Sequence, residues 1–454
     1  MSLIKILIKK ILPKKVLNLG HLFFAWYGAM CYGHPSAELL VIGITGTSGK
    51  SSTAYFLRQL LTHAGFTVGT LSTIEFSIAG RTELNDQKMT MLGRTAIQRY
   101  LRQMVTKGCS VAIIETTSEG FVQYRHRGIQ YDVMLLTNLY PEHIESHGSF
   151  AKYMAAKMGI FAYVAKSKPK FFSQIKNLPD IVQQEKIGIQ KTAVINANCE
   201  YAPDFLAMSF PQKITFGRGD KPHQIDRIDV AIDQVHVEAT GTAFAIDGHC
   251  VSTSVYGEHQ IMNITAAVAI GHALGVSWDT IQTGIGLLES VPGRVEFIPE
   301  AQAFGYTVIV DYAFEPVAMA ALYEVVALQK PKRIIHVFGS TGGGRDVARR
   351  FTVATFVASH ADLCVITDED PYDDDPLSIM RDVAVAVAKT GKKEGKEFWQ
   401  IQDRRQAIAH ALQLAKSGDI VLITGKGSEQ AMVVKGKKIP WDDRQVVREV
   451  LRAQ

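Results

Sequence analysis

Residues 39–52 read Leu39-Leu40-Val41-Ile42-Gly43-Ile44-Thr45-Gly46-Thr47-Ser48-Gly49-Lys50-Ser51-Ser52, an uncharged apolar run passing into a glycine-rich turn that ends in Gly-Lys-Ser-Ser. Such a run fits a strand buried on both faces, as in a parallel sheet. The glycines let successive main-chain N–H groups point inward at phosphate oxygens. Lys50 supplies a positive charge for β- and γ-phosphates, and the Ser51 hydroxyl can ligate Mg²⁺. The strict phosphate-loop pattern wants glycine at position 44, where Ile44 stands. Strand, glycines, lysine and helix still arrive in the required order. Thr45, Gly46, Thr47, Ser48, Gly49, Lys50, Ser51 and Ser52 are therefore candidate contacts for ATP.

Working outward, a helix with apolar Tyr55, Phe56, Leu60 and Leu61 follows the turn. Further strands are expected at 110–114, running into Glu115, and at 132–137, running into Asn138. Strands alternating with helices imply an α/β domain with a parallel sheet, whose ligands gather at the carboxyl ends of the strands. Between 171 and 256 short alternating segments such as 229–239 suggest antiparallel strands appended to that sheet. A helix over 260–274 closes the domain, and Val-Pro-Gly-Arg at 291–294 marks a linker turn. A second α/β domain of Rossmann-like type is expected beyond it, with strands at 307–311, 333–338, 363–367 and 420–424. The expected division is a basic, apolar helical segment at 1–38, an ATP-binding P-loop domain at 39–296 and a C-terminal domain at 297–454.

A chain of 454 residues is too long for one ordinary core. Its 47% hydrophobic and 20% charged residues are those of a globular enzyme, and a net charge of +5 without a basic run interleaved with aromatics gives no nucleic-acid signature. Five dispersed cysteines form no CxxC pair and read as reduced thiols in a cytoplasmic protein. Lys5, Lys9, Lys10, Lys14 and Lys15 precede an apolar tract at 16–32, and no acid occurs before Glu38. That tract is short of the ~20 residues that cross a bilayer. A helix packed on the next domain is the preferred reading; a basic helix making peripheral membrane contact is the other.

TGTSGKSS at 45–52 resembles the ATP-binding loop of the Mur ligase family, which shares the departure at position 44. The resemblance continues in order through IETTSEGFVQYR (114–125), TNLYPEHIESHGSFAKYMAAKMGIF (137–161), VPGRVEFI (291–298), VIVDYAFEP (308–316), FGSTGGGRD (338–346), TDEDPYDDDP (367–376) and ITGKGSEQ (423–430). It implies an ATP- and Mg²⁺-dependent carboxylate–amine ligase of peptidoglycan biosynthesis, nearest to the branch that adds the third amino acid to a UDP-N-acetylmuramoyl-dipeptide. Reaction would pass through an acyl phosphate. Lys50, Glu115, His143 and Lys157 are the implied catalytic residues. Ser51, Glu115, His143 and Lys157 would be the implied metal ligands, the lysine as a carbamate formed with CO₂. Carbamate formation needs a neutral amine and so a buried one. The alternative is an unmodified lysine on an exposed helix face.

By the same resemblance Asn138, Asn263, Arg294 and Asp311 lie near the nucleotide, and Thr90, Thr117, Gln123 and Arg125 contact the acceptor. Arg345, Asp370, Tyr372, Gly425 and Glu429 belong to the amino-acid pocket. Several positions depart from the family pattern. Phe314 and Ser428 stand where it has histidine, and Tyr372 where it has the arginine that grips a distal carboxylate. The acidic loop of Asp368, Glu369, Asp370, Asp373, Asp374 and Asp375 would instead suit a cationic side chain such as lysine, or is simply solvated. About forty residues precede the loop, so the family's uridine-binding N-terminal domain, of ~100–150 residues if an ordinary domain, is expected to be lacking. Two further readings therefore stay open: the same chemistry on another acceptor (of folylpolyglutamate, cyanophycin or lipid-linked type), or a non-catalytic ATP-binding regulator.

Overall fold

A computed structural model describes residues 14–85, 89–141, 147–179, 189–220, 225, 227–343 and 347–454. The chain divides into two compact units, one of 1–236 and 242–289, the other of 237–241 and 290–454.

The first unit opens with helix α1 (Lys14–Cys31), followed by β1 (Leu40–Thr45) and α2 (Lys50–His63). Strands β2 (Val68–Leu71), β3 (Glu75–Ile78) and β4 (Arg81–Leu84) lead to α3 (Arg94–Thr106). Then come β5 (Val111–Glu115), the short α4 (Ser118–Val122), β6 (Val133–Leu136) and α5 (Phe150–Ala165). The unit continues through β7 (Thr192–Asn196), β8 (Gln212–Arg218), β9 (Val230–Glu238), β10 (Gly241–Ile246), β11 (His249–Thr253) and α6 (Glu258–Ala273), and a last helix, Trp278–Gly286, follows. All eleven strands join one sheet in the order β11-β10-β9-β8-β7-β6-β1-β5-β2-β3-β4.

β1 sits between β5 and β6 in parallel register, every residue buried, as its apolar run requires. The order puts the ends of β1, β5 and β6 side by side, so the loop at 46–49, Glu115 and the 137–138 turn share one edge of the sheet. The expectation of antiparallel strands after 171 needs correction in part. β7, β8 and β9 pair in parallel and extend the main sheet, and β10–β11 form an antiparallel hairpin. The buried five-residue run Thr-Ala-Val-Ile-Asn of β7 belongs in the sheet's middle, where both faces are covered.

Below β6, Asp132 is fully buried and accepts hydrogen bonds from Val41 N (2.9 Å), Lys170 Nζ (2.6 Å) and Lys191 Nζ (2.9 Å). Burial pulls the Lys170 ammonium down to about 8 despite the carboxylate beside it. This ion triad fixes β6 against β1 at the end of the sheet opposite the loop.

α1 packs its small residues inward. Ala25 and Ala29 are buried, and a Cβ on Gly28 would lie 3.2 Å from the Thr95 backbone on α3. Arg102 of α3 secures the following turn by donating to Tyr32 O (2.8 Å) and pairing with Glu38 (2.9 Å). Among the described residues no helix is long and apolar enough to cross a membrane.

The second unit holds a six-stranded sheet, β12 (Glu296–Phe297), β13 (Thr307–Asp311), β14 (Ile334–Phe338), β15 (Leu363–Ile366), β16 (Phe398–Gln400) and β17 (Ile420–Thr424), in the order β12-β13-β17-β14-β15-β16. β13 through β17 are parallel and only the edge strand β12 is antiparallel. A small hairpin, β18 (Ala431–Val434) with β19 (Lys437–Pro440), follows.

Candidate active site

The loop between β1 and α2 is shaped by two glycines with positive φ, Gly46 (153°) and Gly49 (77°). A Cβ on Gly46 would fall 1.8 Å from Thr137 Oγ1, and one on Gly49 would fall 2.4 Å from Asn263 Oδ1. Neither position tolerates a side chain. Asn138, just past β6, accepts from Thr47 N (3.0 Å) and Ser48 N (2.9 Å) through Oδ1, and Thr137 Oγ1 donates to Ser48 O (2.7 Å). Asn138 thus braces the loop itself. Asn263 holds its other side: Oδ1 accepts from Thr53 Oγ1 (3.2 Å) and Nδ2 donates to Gln260 Oε1 (3.0 Å).

α2 begins at Gly49 with no side-chain cap and no acid in its first turn, which leaves its positive end toward the loop. Lys50 Nζ donates to Gly46 O (3.0 Å) and Thr47 O (2.8 Å). Lys157, expected on α5, is 1% exposed, and its Nζ donates to the same Gly46 O (2.7 Å) while lying 4.6 Å from the Tyr153 ring centroid. The exposed-face alternative for Lys157 is thereby excluded. Two ammonium groups on one carbonyl form a concentrated positive site, for which phosphate oxygens are stronger acceptors than an amide.

Glu115 ends β5 fully buried. Its Oε1 accepts from Thr73 N (2.9 Å) and its Oε2 from Thr73 Oγ1 (3.0 Å). Burial raises its pKa, while the Lys50 charge and hydrogen bonds from Thr73 and Ser51 pull it back. A buried carboxylate joined to the Ser51 hydroxyl, beside an anion loop, is a donor set that suits Mg²⁺, which takes one or two protein oxygens and completes its shell with phosphate and water. No group of three His, Cys, Asp or Glu side chains that could hold a metal is found among the described residues. His143 lies outside the described residues, as does Arg345.

Thr73 was not legible in the sequence, although it links two candidates: its hydroxyl also lies 3.0 Å from Thr90 Oγ1. Thr117 caps α4 by accepting from Gly120 N (3.0 Å). Gln123 Oε1 accepts from Arg125 Nε (3.1 Å) and Nη2 (2.7 Å), and Gln123 Nε2 donates to Glu119 Oε1 (2.7 Å). Arg94, also not anticipated, donates to Gln123 O, and its buried Nε has no hydrogen-bond partner among the described residues. Burial lowers the pKa of both guanidinium groups, and Arg125 lowers that of Arg94 further. Two partly buried guanidinium groups held together suit an anionic ligand.

In the second unit, Asp311 Oδ1 accepts from Ala313 N (2.6 Å) and Oδ2 from Val295 N (2.7 Å), while Arg294 lies 4.4 Å over the Tyr312 ring. Asp370 does not stand as a free acid. It accepts from Lys426 Nζ (2.9 Å) and Val433 N (2.6 Å), and Lys426 also pairs with Glu429. Asp374 accepts from Gly343 N (3.1 Å), and Asp375 caps the helix Pro376–Lys389. Much of the acidic loop is therefore committed to backbone and internal cations. Tyr372, at φ 54°, bonds through its backbone to Val433 O (3.0 Å) and Lys435 N (2.6 Å).

A Cβ on Gly425 would lie 2.5 Å from Glu369 Oε2, so the chain passes directly against that carboxyl. Burial pushes Glu369 up to about 7, against the pull of Arg404 and Lys426. Because the folded state keeps this proton between about pH 4.5 and about pH 7 while the unfolded chain releases it, stability falls as pH rises through that window. Denaturant unfolding across the window is expected to show Glu369→Gln removing this slope and stabilising the protein above it by roughly 1–3 kcal/mol.

Residues 44–271 match the family model described as the Mur ligase middle domain, and 293–427 match that of the Mur ligase, glutamate ligase domain. The UDP-N-acetylmuramoyl-L-alanyl-D-glutamate--2,6-diaminopimelate ligase of Geobacillus kaustophilus is 31% identical over 432 residues, covering 93% of this chain and 80% of its own. The UDP-N-acetylmuramyl-tripeptide synthetase of Borreliella burgdorferi is 30% identical over 436 residues, covering 94% and 80%. Among solved structures, MurF from Acinetobacter baumannii superposes with a TM-score of 0.64 at 18% identity over 95% of this chain and 80% of that one. Folylpolyglutamate synthase of Mycobacterium tuberculosis, complexed with ADP and AMPPCP, gives 0.62 at 17% over 89% and 92%. At these identities the structural likeness concerns the fold alone.

Proposed function

The chain belongs to the Mur ligase family of ATP-dependent, amide-bond-forming enzymes, and on that premise we propose that it adds an amino acid to a UDP-N-acetylmuramoyl-dipeptide during peptidoglycan synthesis. The observation that carries this reading is the joining, at one sheet edge, of a phosphate cradle to an acceptor-side cluster. Lys50 and Lys157 meet at Gly46 O, and Ser51, Glu115, Thr73 and Thr90 form a continuous chain from that loop; Arg125 donates to the carbonyl of Met91, the residue after Thr90, and Gln123 joins Arg125 to Arg94.

The chemistry follows from the charges. An acceptor carboxylate oxygen attacks the γ-phosphorus of ATP, forming an acyl phosphate and releasing ADP. The incoming amine attacks the acyl carbon, loses a proton and expels inorganic phosphate, leaving an amide. Two anions must approach in the first step, and the ammonium group of Lys50 lowers that repulsion. Glu115 and the Ser51 hydroxyl would hold Mg²⁺, which when bound draws charge from the phosphate oxygens. Lys157 is buried enough for carbamate formation, by which it would join the metal shell. In the second unit, Glu429 is the group proposed for the incoming amine, with Lys426 fixing it.

Arg94 and Arg125 are proposed to hold an anionic group of the acceptor. Arg94→Ala is expected to raise KM for the acceptor about 10- to 100-fold with kcat little changed, measured by steady-state kinetics.

Amino-acid-dependent ADP release, screened over acceptors and amino acids, tests the whole reading. Turnover requiring UDP-muramoyl-dipeptide supports it. Turnover only with a folate or a lipid-linked acceptor would reassign the substrate, and nucleotide binding without turnover throughout would leave a regulator. Comparing lysine with diaminopimelate decides whether the acids of the loop not committed internally select a cation.

A further inference from the structure

α1 presents to solvent what a water-facing helix normally buries. At one hundred degrees per residue, its inward side carries Ala25, Gly28 and Ala29, packed as described, and the outward arc carries Leu22, Phe23, Phe24, Trp26, Tyr27 and Met30. The six are 40–56% exposed, Trp26 the most. No charged residue interrupts the arc, whereas the outer face of a surface helix is ordinarily polar. Phe23 stacks on Tyr27 with ring centroids 5.8 Å apart, so the aromatics form one continuous patch.

We propose that this face of α1 seats the protein on an anionic membrane surface. Charge complementarity favours that occupant. Lys5, Lys9, Lys10, Lys14 and Lys15 lie in sequence at or before the helix start, and no acid occurs before Glu38. A negatively charged headgroup layer meets both features, the lysines at the phosphates and the aromatic face at the boundary with the acyl chains. Tryptophan and tyrosine, each with an apolar ring and a polar tip, are suited to that boundary. A second copy offers no such match, because its own α1 brings the same lysines and no acid to pair with them. The helix lies on the surface and does not cross it, consistent with its length and with the inward side being taken up by α3.

Cosedimentation of the full chain with phosphatidylcholine vesicles, with and without phosphatidylglycerol, is the test. Binding is expected with the anionic vesicles and is expected to weaken as salt rises. The double variant Phe23→Ser, Trp26→Ser should lose on the order of 100-fold in affinity, and Lys14→Gln with Lys15→Gln about 10-fold or more. Both changes lie outside the ATP and acceptor clusters, so unchanged circular dichroism and Tm report an intact fold. Blue-shifted tryptophan emission on adding vesicles, lost with Trp26→Ser, would locate the contact. Absence of vesicle binding, or binding indifferent to both variants, overturns the proposal. A dimer in light scattering that dissolves with Phe23→Ser, Trp26→Ser, without vesicle binding, would assign the face to a second copy.

Discussion

Lys50→Ala is expected to reduce turnover on the order of 10³-fold or more while leaving the fold intact. Lys50 opens α2 and its Nζ donates to two carbonyls of the loop, those of Gly46 and Thr47. Its charge also bears on Glu115, whose buried carboxyl it helps keep ionised. Alanine removes a cation of the loop at the moment a carboxylate must approach a triphosphate. The helix loses nothing in propensity from the change. Steady-state ADP release together with thermal unfolding checks both halves. A variant that retained more than about a tenth of wild-type turnover would contradict the role given to this ammonium group.

Lys157→Ala is expected to cost on the order of 10²- to 10³-fold in turnover. The side chain runs buried from α5 beneath the loop to Gly46 O, so its role is tied to the loop and not to solvent. Two functions are compatible with that location: an ammonium group supporting the loop, or a carbamate contributing an anion to the metal shell. Added formate or acetate separates them. Partial return of activity at millimolar carboxylate is the expected result, since a small anion can stand in for the carbamate oxygens. Rescue by methylammonium and not by formate would assign the ammonium role.

The residues that the sequence made legible are those whose chemistry and position coincide. Residues 40–45 could be read because both faces of β1 are buried, and 307–311 and 420–424 for the same reason. The stretch after 171 was less legible. Alternation within 229–239 resembles an antiparallel edge, but the direction of a strand depends on its partner, and β8 selects a parallel register for β9. β12 and β16 span two and three residues, too few for any periodicity. In the site, Lys50, Ser51, Glu115 and Asn138 follow from the motifs, whereas Thr73 and Arg94 carry no motif and enter only because the fold folds their segments back onto Glu115 and Gln123. The acidic loop shows the limit most clearly. Composition suggested a pocket for a cation, yet Asp370, Asp374 and Asp375 are occupied by Lys426, by main-chain N–H groups and by a helix start. Pairing with a buried lysine 56 residues away cannot be read from local charge.

The central claim is that the loop and its lysines make a carboxylate reactive by transferring the γ-phosphoryl group to it. Oxygen-18 placed in the acceptor's terminal carboxylate tests this directly. Passage through an acyl phosphate carries one labelled oxygen into the inorganic phosphate released with the amide product. Unlabelled phosphate, with amide formed all the same, would contradict the account.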